Sequence, residues 1–408
     1  MNRRIPMNQI KIHYLLLAAF TMAGCATTQT AGMKSDSQTI ALEQQAKSYE
    51  NDGDYEASTE VYRQLIAMHP NDFRSVAWQQ SILNNAEALS DPWLIVDEAK
   101  QTLQRLVQAR DEKFDGATPE AIAETQKQLE AHLSQEAKVY HIIYNQYGNH
   151  AYGSTARNLY GLLIEYFPDS DNTCDTLYMH ADLEYWGESD IVGDDSATSH
   201  YQKAGQEFDR IVDKCTDTLE PSQIVDAAHG SMLAYNALMD NAETCPGIPQ
   251  TPEAKEGEEQ VYPEFPIAEC RVKFIDAAKR YFNIVQQYNS NEITFAYNAI
   301  YKTGRIYFEH NQFDNAISAF KIVIEKETDS KNTGECETTI YAADYILESY
   351  KNLKQYKNML DAIHEFKNDD KIMSCSERWL VEEFIKYMNS CEEAIAELFK
   401  KNGEAISN

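Results

Sequence analysis

Basic side chains are scarce in this sequence. Of 408 residues, 36 are Lys or Arg against 65 Asp or Glu, a formal net charge of -29. No basic stripe interrupts that imbalance. Nucleic acid is thereby excluded as the main partner, because phosphate recognition needs clustered cations, and so is a surface that hugs anionic lipid. Long apolar runs are missing too. Beyond the N-terminal segment no stretch of about 18 uncharged apolar residues occurs, which excludes a polytopic membrane protein. The marks of common chemistries are also absent: there is no H-E-x-x-H, G-x-S-x-G, G-x-x-x-x-G-K or G-x-G-x-x-G. Nor is there a C-x-x-C, so neither a zinc ribbon nor a thioredoxin-like site is suggested. What is present suffices for a buried core: 43% of residues are hydrophobic and 25% charged, and the length suits two or three domains or one long repeat array.

The chain begins with a targeting pattern. Arg3, Arg4 and Lys11 precede the apolar stretch Tyr14-Leu15-Leu16-Leu17-Ala18-Ala19-Phe20, followed by Thr21-Met22-Ala23-Gly24-Cys25. A charged start, a short apolar centre and small residues before a cleavage point make a secretory signal over 1–24, too short to span a bilayer permanently. Its end resembles the bacterial lipobox, with Met22 where Leu is usual. That resemblance implies that Cys25 becomes the first mature residue and carries acyl chains such as palmitate on its sulfur and amino group. Each buried CH₂ of such chains contributes about 0.8 kcal/mol to anchoring. The alternative is an ordinary signal with an incidental cysteine. Ala26 rather than Asp follows, which by resemblance to enterobacterial lipoproteins implies the outer membrane, facing the periplasm. Residues 25–38, rich in Thr, Ser, Gly and Gln, read as the lipidated Cys and a flexible tether.

From Thr39 onward apolar residues recur with helical period. Leu42, Ala46 and Tyr49, then Tyr55, Tyr62, Leu65 and Ile66, make two stripes broken at Asn51-Asp52-Gly53-Asp54 and closed by Pro70. Such a hairpin of about 34 residues returns along the chain, so a repeat fold is expected. The pattern resembles the tetratricopeptide repeat: Ala46 is its small residue, Tyr49, Tyr55 and Tyr62 its aromatics, Ser58 its second small position and Pro70 its closing proline. The fullest copy is 297–330, with Gly304, Tyr307, Phe313, Ala316 and Phe320 at family spacings and Thr328 in place of the proline. Looser copies lie at 137–170, where Ala156, Tyr160, Leu163 and Pro168 fit but Tyr144 replaces the small residue, and at 340–373, with Tyr350 and Tyr356. Segments 73–113, 174–216 and 222–289 read as hairpins with grown loops. The fold expected is all-α, a superhelical solenoid of hairpins that bury a continuous core only by stacking. Its divisions are 39–241 for an N-terminal array, 242–266 for a Pro- and Glu-rich loop or boundary, 267–373 for C-terminal repeats and 374–408 for a capping helix pair. A second acidic loop covers 186–199.

Apart from Cys25 the cysteines suit an oxidising compartment. Cys174 with Cys215 and Cys336 with Cys375 each flank one expected hairpin, whose outer ends are neighbours, and Cys245 with Cys270 would close the proline-rich loop. Loops of this size suggest about 3–4 kcal/mol for each bond in the chain-entropy model. Cys391 is left over. The alternative is a set of free, buried thiols.

Individual residues give little chemistry. His141 and His180 fall in repeat helices and read as partly buried packing residues, because a lone histidine needs partners to catalyse. Asp169, Asp171 and Asp175 resemble half a calcium loop without its glycine and terminal Glu, and read as a solvated turn. The loop carrying Glu188, Asp190, Asp194 and Asp195 could hold a divalent ion, but reads as a solvated acidic face. Tyr140, Tyr144 and Tyr147 share a helical face; most tyrosines occupy repeat positions, and a minority suit a recognition groove. No catalytic residue, metal or cofactor is assigned. A lipid anchor, a tether and a non-catalytic solenoid together describe a protein-binding scaffold held at a membrane, with basic segments as the expected partners.

Within that class, Phe274-Ile275-Asp276-Ala277-Ala278, Tyr307-Phe308-Glu309-His310-Asn311-Gln312-Phe313-Asp314 and Ala342-Ala343-Asp344-Tyr345-Ile346-Leu347-Glu348-Ser349-Tyr350 resemble the tetratricopeptide lipoproteins of the adventurous gliding-motility apparatus. That resemblance implies a periplasmic scaffold working with other repeat proteins and an outer-membrane β-barrel. Residues 41–70 also resemble the start of the lipoprotein subunit of the β-barrel assembly machine, a shorter family without these acidic loops and cysteine pairs. A peptidoglycan-associated protein or hydrolase partner is a third reading, with no nucleophile, metal triad or carboxylate pair behind it.

Overall fold

The structure is a computed structural model that describes residues 37–186, 197–241, 245–255, 258–325 and 333–402. The signal segment, Cys25, nearly all of the tether, and Glu188, Asp190, Asp194 and Asp195 lie outside the described residues. Among those described there are 16 α-helices and no strand; Asp72 and Asp115 form one isolated parallel bridge. No helix among them is long and apolar enough to cross a membrane. The fold is an all-α helical repeat. The chain divides into two compact units, Met1–Asp190 and Ile191–Asn408.

The first unit holds α1 (Ser37–Asn51), α2 (Tyr55–Met68), α3 (Arg74–Ala88), α4 (Pro92–Asp111), α5 (Pro119–Tyr147), α6 (His150–Tyr166) and α7 (Thr173–Trp186). Local chemistry sets the boundaries. Gly53 takes the left-handed turn at φ 77° and Asp54 caps α2 by accepting from the Ala57 N–H. Asp91 accepts from both Trp93 and Leu94 N–H groups, with Pro92 as the first helical residue. The α3–α4 connector is therefore only Leu89, Ser90 and Asp91, so the grown loop expected within 73–113 is corrected to a tight turn. Gly148 ends α5 in the left-handed conformation and Asn149 caps α6. The core runs continuously through Leu83, Ile95, Leu103, Leu129, Leu133 and Tyr160, with a smaller cluster of Ala46, Tyr62, Leu65, Trp78 and Ile82 under the first hairpin.

The second unit holds α8 (Ala197–Lys214), α9 (Pro221–Asp240), α10 (Glu269–Gln287), α11 (Ile293–Glu309), α12 (Phe313–Ile324), α13 (Thr333–Asn352), α14 (Tyr356–Lys367), α15 (Asp370–Met373) and α16 (Arg378–Asn402). Consecutive helices from α8 to α14 pack on one another, while α11 and α16 each also touch α13. The expected terminal helix pair is instead one helix of 25 residues, α16, preceded by the single turn α15. Leu380, Phe384, Met388 and Ile395 continue one buried apolar stripe with no Gly or Pro to break it, whereas Trp379 lies off that stripe and is exposed.

The described residues of the Pro- and Glu-rich stretch between α9 and α10 form an irregular, mostly exposed loop within the second unit. It straps the α11–α12 turn: Asn311 Nδ2 donates to the Pro263 carbonyl at 2.8 Å and to Thr251 Oγ1 at 2.9 Å. The Phe265 N–H donates to the His310 carbonyl, and Gln312 Nε2 donates to the Phe265 carbonyl. Proline suits an extended strap because its missing N–H needs no partner.

Candidate interaction surface

The repeat signature does structural work. In α11–α12 a Cβ placed on Gly304 would meet the Phe320 ring at 2.7 Å, so only glycine lets that ring lie on the helix backbone. Phe313 and Ala316 are buried beside it, and Tyr307 is half-buried, its hydroxyl accepting from Lys279 Nζ at 3.0 Å. In α1–α2, Ala46, Ser58 and Tyr62 are buried, Tyr49 and Tyr55 half-buried, and Pro70 exposed just beyond the helix end. Burial pushes the Tyr62 phenol up.

Three further ring-over-glycine contacts escaped the sequence reading. Tyr144 lies over Gly153, Tyr235 over Gly205 and Phe208 over Gly230, each with an added Cβ at 2.8 Å or less. The looser copy at 137–170 therefore keeps the interlock with its polarity reversed. The ring sits on the first helix, and the glycine on the second.

In the second unit α13 packs on α12 and α14, touches α11 and α16 as well, and keeps one stripe at least partly open to solvent: Glu337, Tyr341, Asp344, Tyr345 and Glu348. The Tyr345 ring stacks on Phe320 at 5.0 Å and meets Phe308 at 4.8 Å and Tyr301 at 6.3 Å. Tyr341, at the outer edge, is 41% exposed. Glu348 takes Lys351 Nζ at 3.1 Å and the Tyr387 hydroxyl from α16. Burial, then repulsion from Glu348, pushes the Asp344 carboxyl up to about 6. Burial also raises the Tyr301 phenol to about 12.

The histidines singled out earlier are fully rather than partly buried. His141 Nε2 lies 3.9 Å from Asp182 Oδ2, its ring edge-on to Tyr160, and burial lowers its pKa to about 4. His180 sits 3.3 Å from Glu184. Another constellation was not foreseen. His229 stacks on Tyr281 at 4.8 Å, and the Tyr281 hydroxyl donates to Glu292 at 2.6 Å. The hydrogen bond from His229 lowers the Glu292 carboxyl. Tyr281 has no exposed surface, so this group braces α9 to α10. Asp169, Asp171 and Asp175 lie in and just after the α6–α7 turn, which Thr173 closes by donating to the Phe167 carbonyl. Among the described residues no three His, Cys, Asp or Glu side chains gather at metal-binding distance.

Cys245 is bonded to Cys270, with Cα atoms 5.7 Å apart, and Cys336 to Cys375, 5.5 Å apart. Cys174 belongs to the first unit and Cys215 to the second; their pairing stays an expectation. Cys391 is a free thiol on α16 beside Tyr387, pushed up by burial.

This arrangement of helical hairpins defines a helical-repeat fold. Residues 41–72 and 298–330 match the tetratricopeptide repeat family. No curated protein matches the chain significantly. Among solved structures, a tetratricopeptide repeat protein from Parabacteroides merdae is similar at 15% identity and TM-score 0.23, over 86% of this chain and 98% of that one. A Rap protein complexed with Competence and Sporulation Factor is similar at 13% identity and TM-score 0.25, covering 88% and 99%. Yeast Tom70 is similar at 8% identity and TM-score 0.15, covering 91% and 100%.

Proposed function

We propose that this protein is a non-catalytic scaffold that binds other proteins from a lipid anchor on the outer membrane, facing the periplasm. The observation that carries the binding role is the pair of tetratricopeptide-repeat segments, 41–72 and 298–330, set in an array of hairpins. The anchor rests on the sequence ending in Cys25, and the two bonded cysteine pairs fit an oxidising compartment. Within that role the reading is a subunit of a gliding-motility or similar envelope complex, whose partners are an outer-membrane β-barrel and periplasmic repeat proteins. The barrel-assembly lipoprotein is the second reading, supported by the hairpin at 41–70.

Fractionation tests the anchor. The wild-type chain should sediment with outer membranes and take up labelled palmitate, and Cys25→Ser should do neither. A Cys25→Ser protein that stayed on the membrane would remove the anchor from this account.

A further inference from the structure

The α13 stripe holds a charge that the fold does not neutralise. Asp344 is half-buried and, among the described residues, makes no hydrogen bond or ion pair. Its neighbour one turn on is Glu348, a like charge. The cations nearby are committed elsewhere: Lys351 to Glu348, and Arg305 to Glu309 at 2.9 Å. An ionised carboxylate in such surroundings costs stability, and groups of that kind concentrate where a ligand will meet them.

The surroundings specify what would meet it. Tyr301, Phe308, Phe320 and Tyr345 form one connected set of rings, with Tyr341 at its open edge. Ring faces attract cations, and aromatic residues are favoured at protein interfaces. Aromatic faces beside two carboxylates are complementary to a Lys or Arg carried on an apolar segment. A second copy of this chain is disfavoured by its own net charge of -29, and anionic lipid by the carboxylates.

We infer that the face formed by α11, α13 and α16 is the docking surface for a basic segment of a partner protein. One Lys or Arg side chain of that segment sits between the Tyr341 and Tyr345 rings and the Asp344 and Glu348 carboxylates. This rests on the scaffold reading and adds to it the face used and the chemistry of the partner.

The test titrates full-length protein in detergent with a fluorescein-labelled helical peptide carrying Lys at every third or fourth position among Leu and Ala. A twin peptide with Glu for Lys is the comparison. The Lys peptide should bind, weaken with salt, and lose about tenfold in affinity against the Asp344→Asn/Glu348→Gln double variant. Tyr341→Ala should lose several-fold. The double variant Asp361→Asn/Glu365→Gln, which removes the same charge from exposed positions of α14, should bind as wild type does. Equal weakening by both double variants would reduce the effect to net charge and overturn the inference, as would equal binding of the Glu twin.

Photo-crosslinking in the host separates this failure from failure of the scaffold reading. A benzoylphenylalanine at position 341 should capture a partner at a Lys- or Arg-bearing segment. Capture only from other faces would overturn the docking face and leave the scaffold standing. Capture from no position on the chain would remove both.

Discussion

Two hairpins of this molecule use the same interlock in opposite directions. In α11–α12 the glycine is on the first helix and the ring, Phe320, on the second; in α5–α6 the ring, Tyr144, is on the first helix and Gly153 on the second. Their polar neighbours differ in kind. Beside the first-unit pair, His141 is enclosed and held neutral. Beside the second-unit pair, Asp344 stands half-open on a face shared with tyrosines. The contrast teaches that an interlock can be read either way round without altering the helix packing it serves. It also separates structural polar groups from those poised for a ligand. His141 has 2% of its surface exposed and can meet nothing from outside, whereas Asp344 can.

The strongest way to break the comparison is to remove a ring. Phe320→Ala should cost about 3–5 kcal/mol in urea unfolding of the second unit, because Phe320 is fully buried against Gly304. A loss under about 1 kcal/mol would show that the interlock is incidental.

Reduction tests the strap in the same unit. Cys245→Ser/Cys270→Ser reopens a loop with a sequence separation of 25 and should cost about 3 kcal/mol in the chain-entropy model. The measurement is the denaturation midpoint with and without reductant: wild type should shift by more than the variant, in which Cys336–Cys375 is still there to be reduced.

The enclosed histidine and the open aspartate should respond to pH with opposite sign. His141 has its folded pKa lowered to about 4 from 6.5. The stability it contributes is present above 6.5 and lost as pH falls through about 4, on the order of 3 kcal/mol in all. His141→Leu should flatten that acid limb. Asp344 is raised to about 6 from 3.8, so its contribution is present below 3.8 and lost as pH rises through about 6. Since the group is partly solvated, Asp344→Asn should stabilise the protein by only about 1 kcal/mol at pH 7 to 8. A variant that is less stable than wild type at neutral pH would mean that the carboxylate has a partner within the fold.

The smallest expected effect sharpens the reversed interlock. Gly153→Ala gains helix propensity of about 1 kcal/mol but crowds the Tyr144 ring, so a net cost of about 1 kcal/mol is expected. Adding Tyr144→Leu, with a smaller side chain, should recover part of the cost, a coupling visible in a double-mutant cycle.

Much of the fold was legible in the sequence, for local reasons. Gly53-Asp54 and Pro70 punctuate the first hairpin, and Ala46, Gly304, Ala316 and Phe320 sit where close helix approach requires them. The interlock at Tyr144 and Gly153 was missed because the repeat signature fixes which helix carries the small residue, whereas packing requires only that one of them does. The α3–α4 turn was read as longer than it is because Asp91-Pro92 restarts a helix at once. The loop between α9 and α10 is legible from its prolines, but its role as a strap is not, because its partners, Asn311 and Gln312, lie about 50 residues further on. Of the candidate surface, Tyr345 and Glu348 stood in a stretch already singled out. Its being a face was not legible, since that depends on which neighbours cover α13 and which leave it open.

Affinity purification of the tagged, membrane-solubilised chain from its host, with mass spectrometry of the proteins that accompany it, tests the scaffold claim most directly. Stable recovery of envelope proteins, including an outer-membrane β-barrel and further repeat proteins, is the expected result; recovery of the barrel-insertion protein would select the second reading. The chain purifying alone, or only with cell-wall hydrolases, would contradict the account.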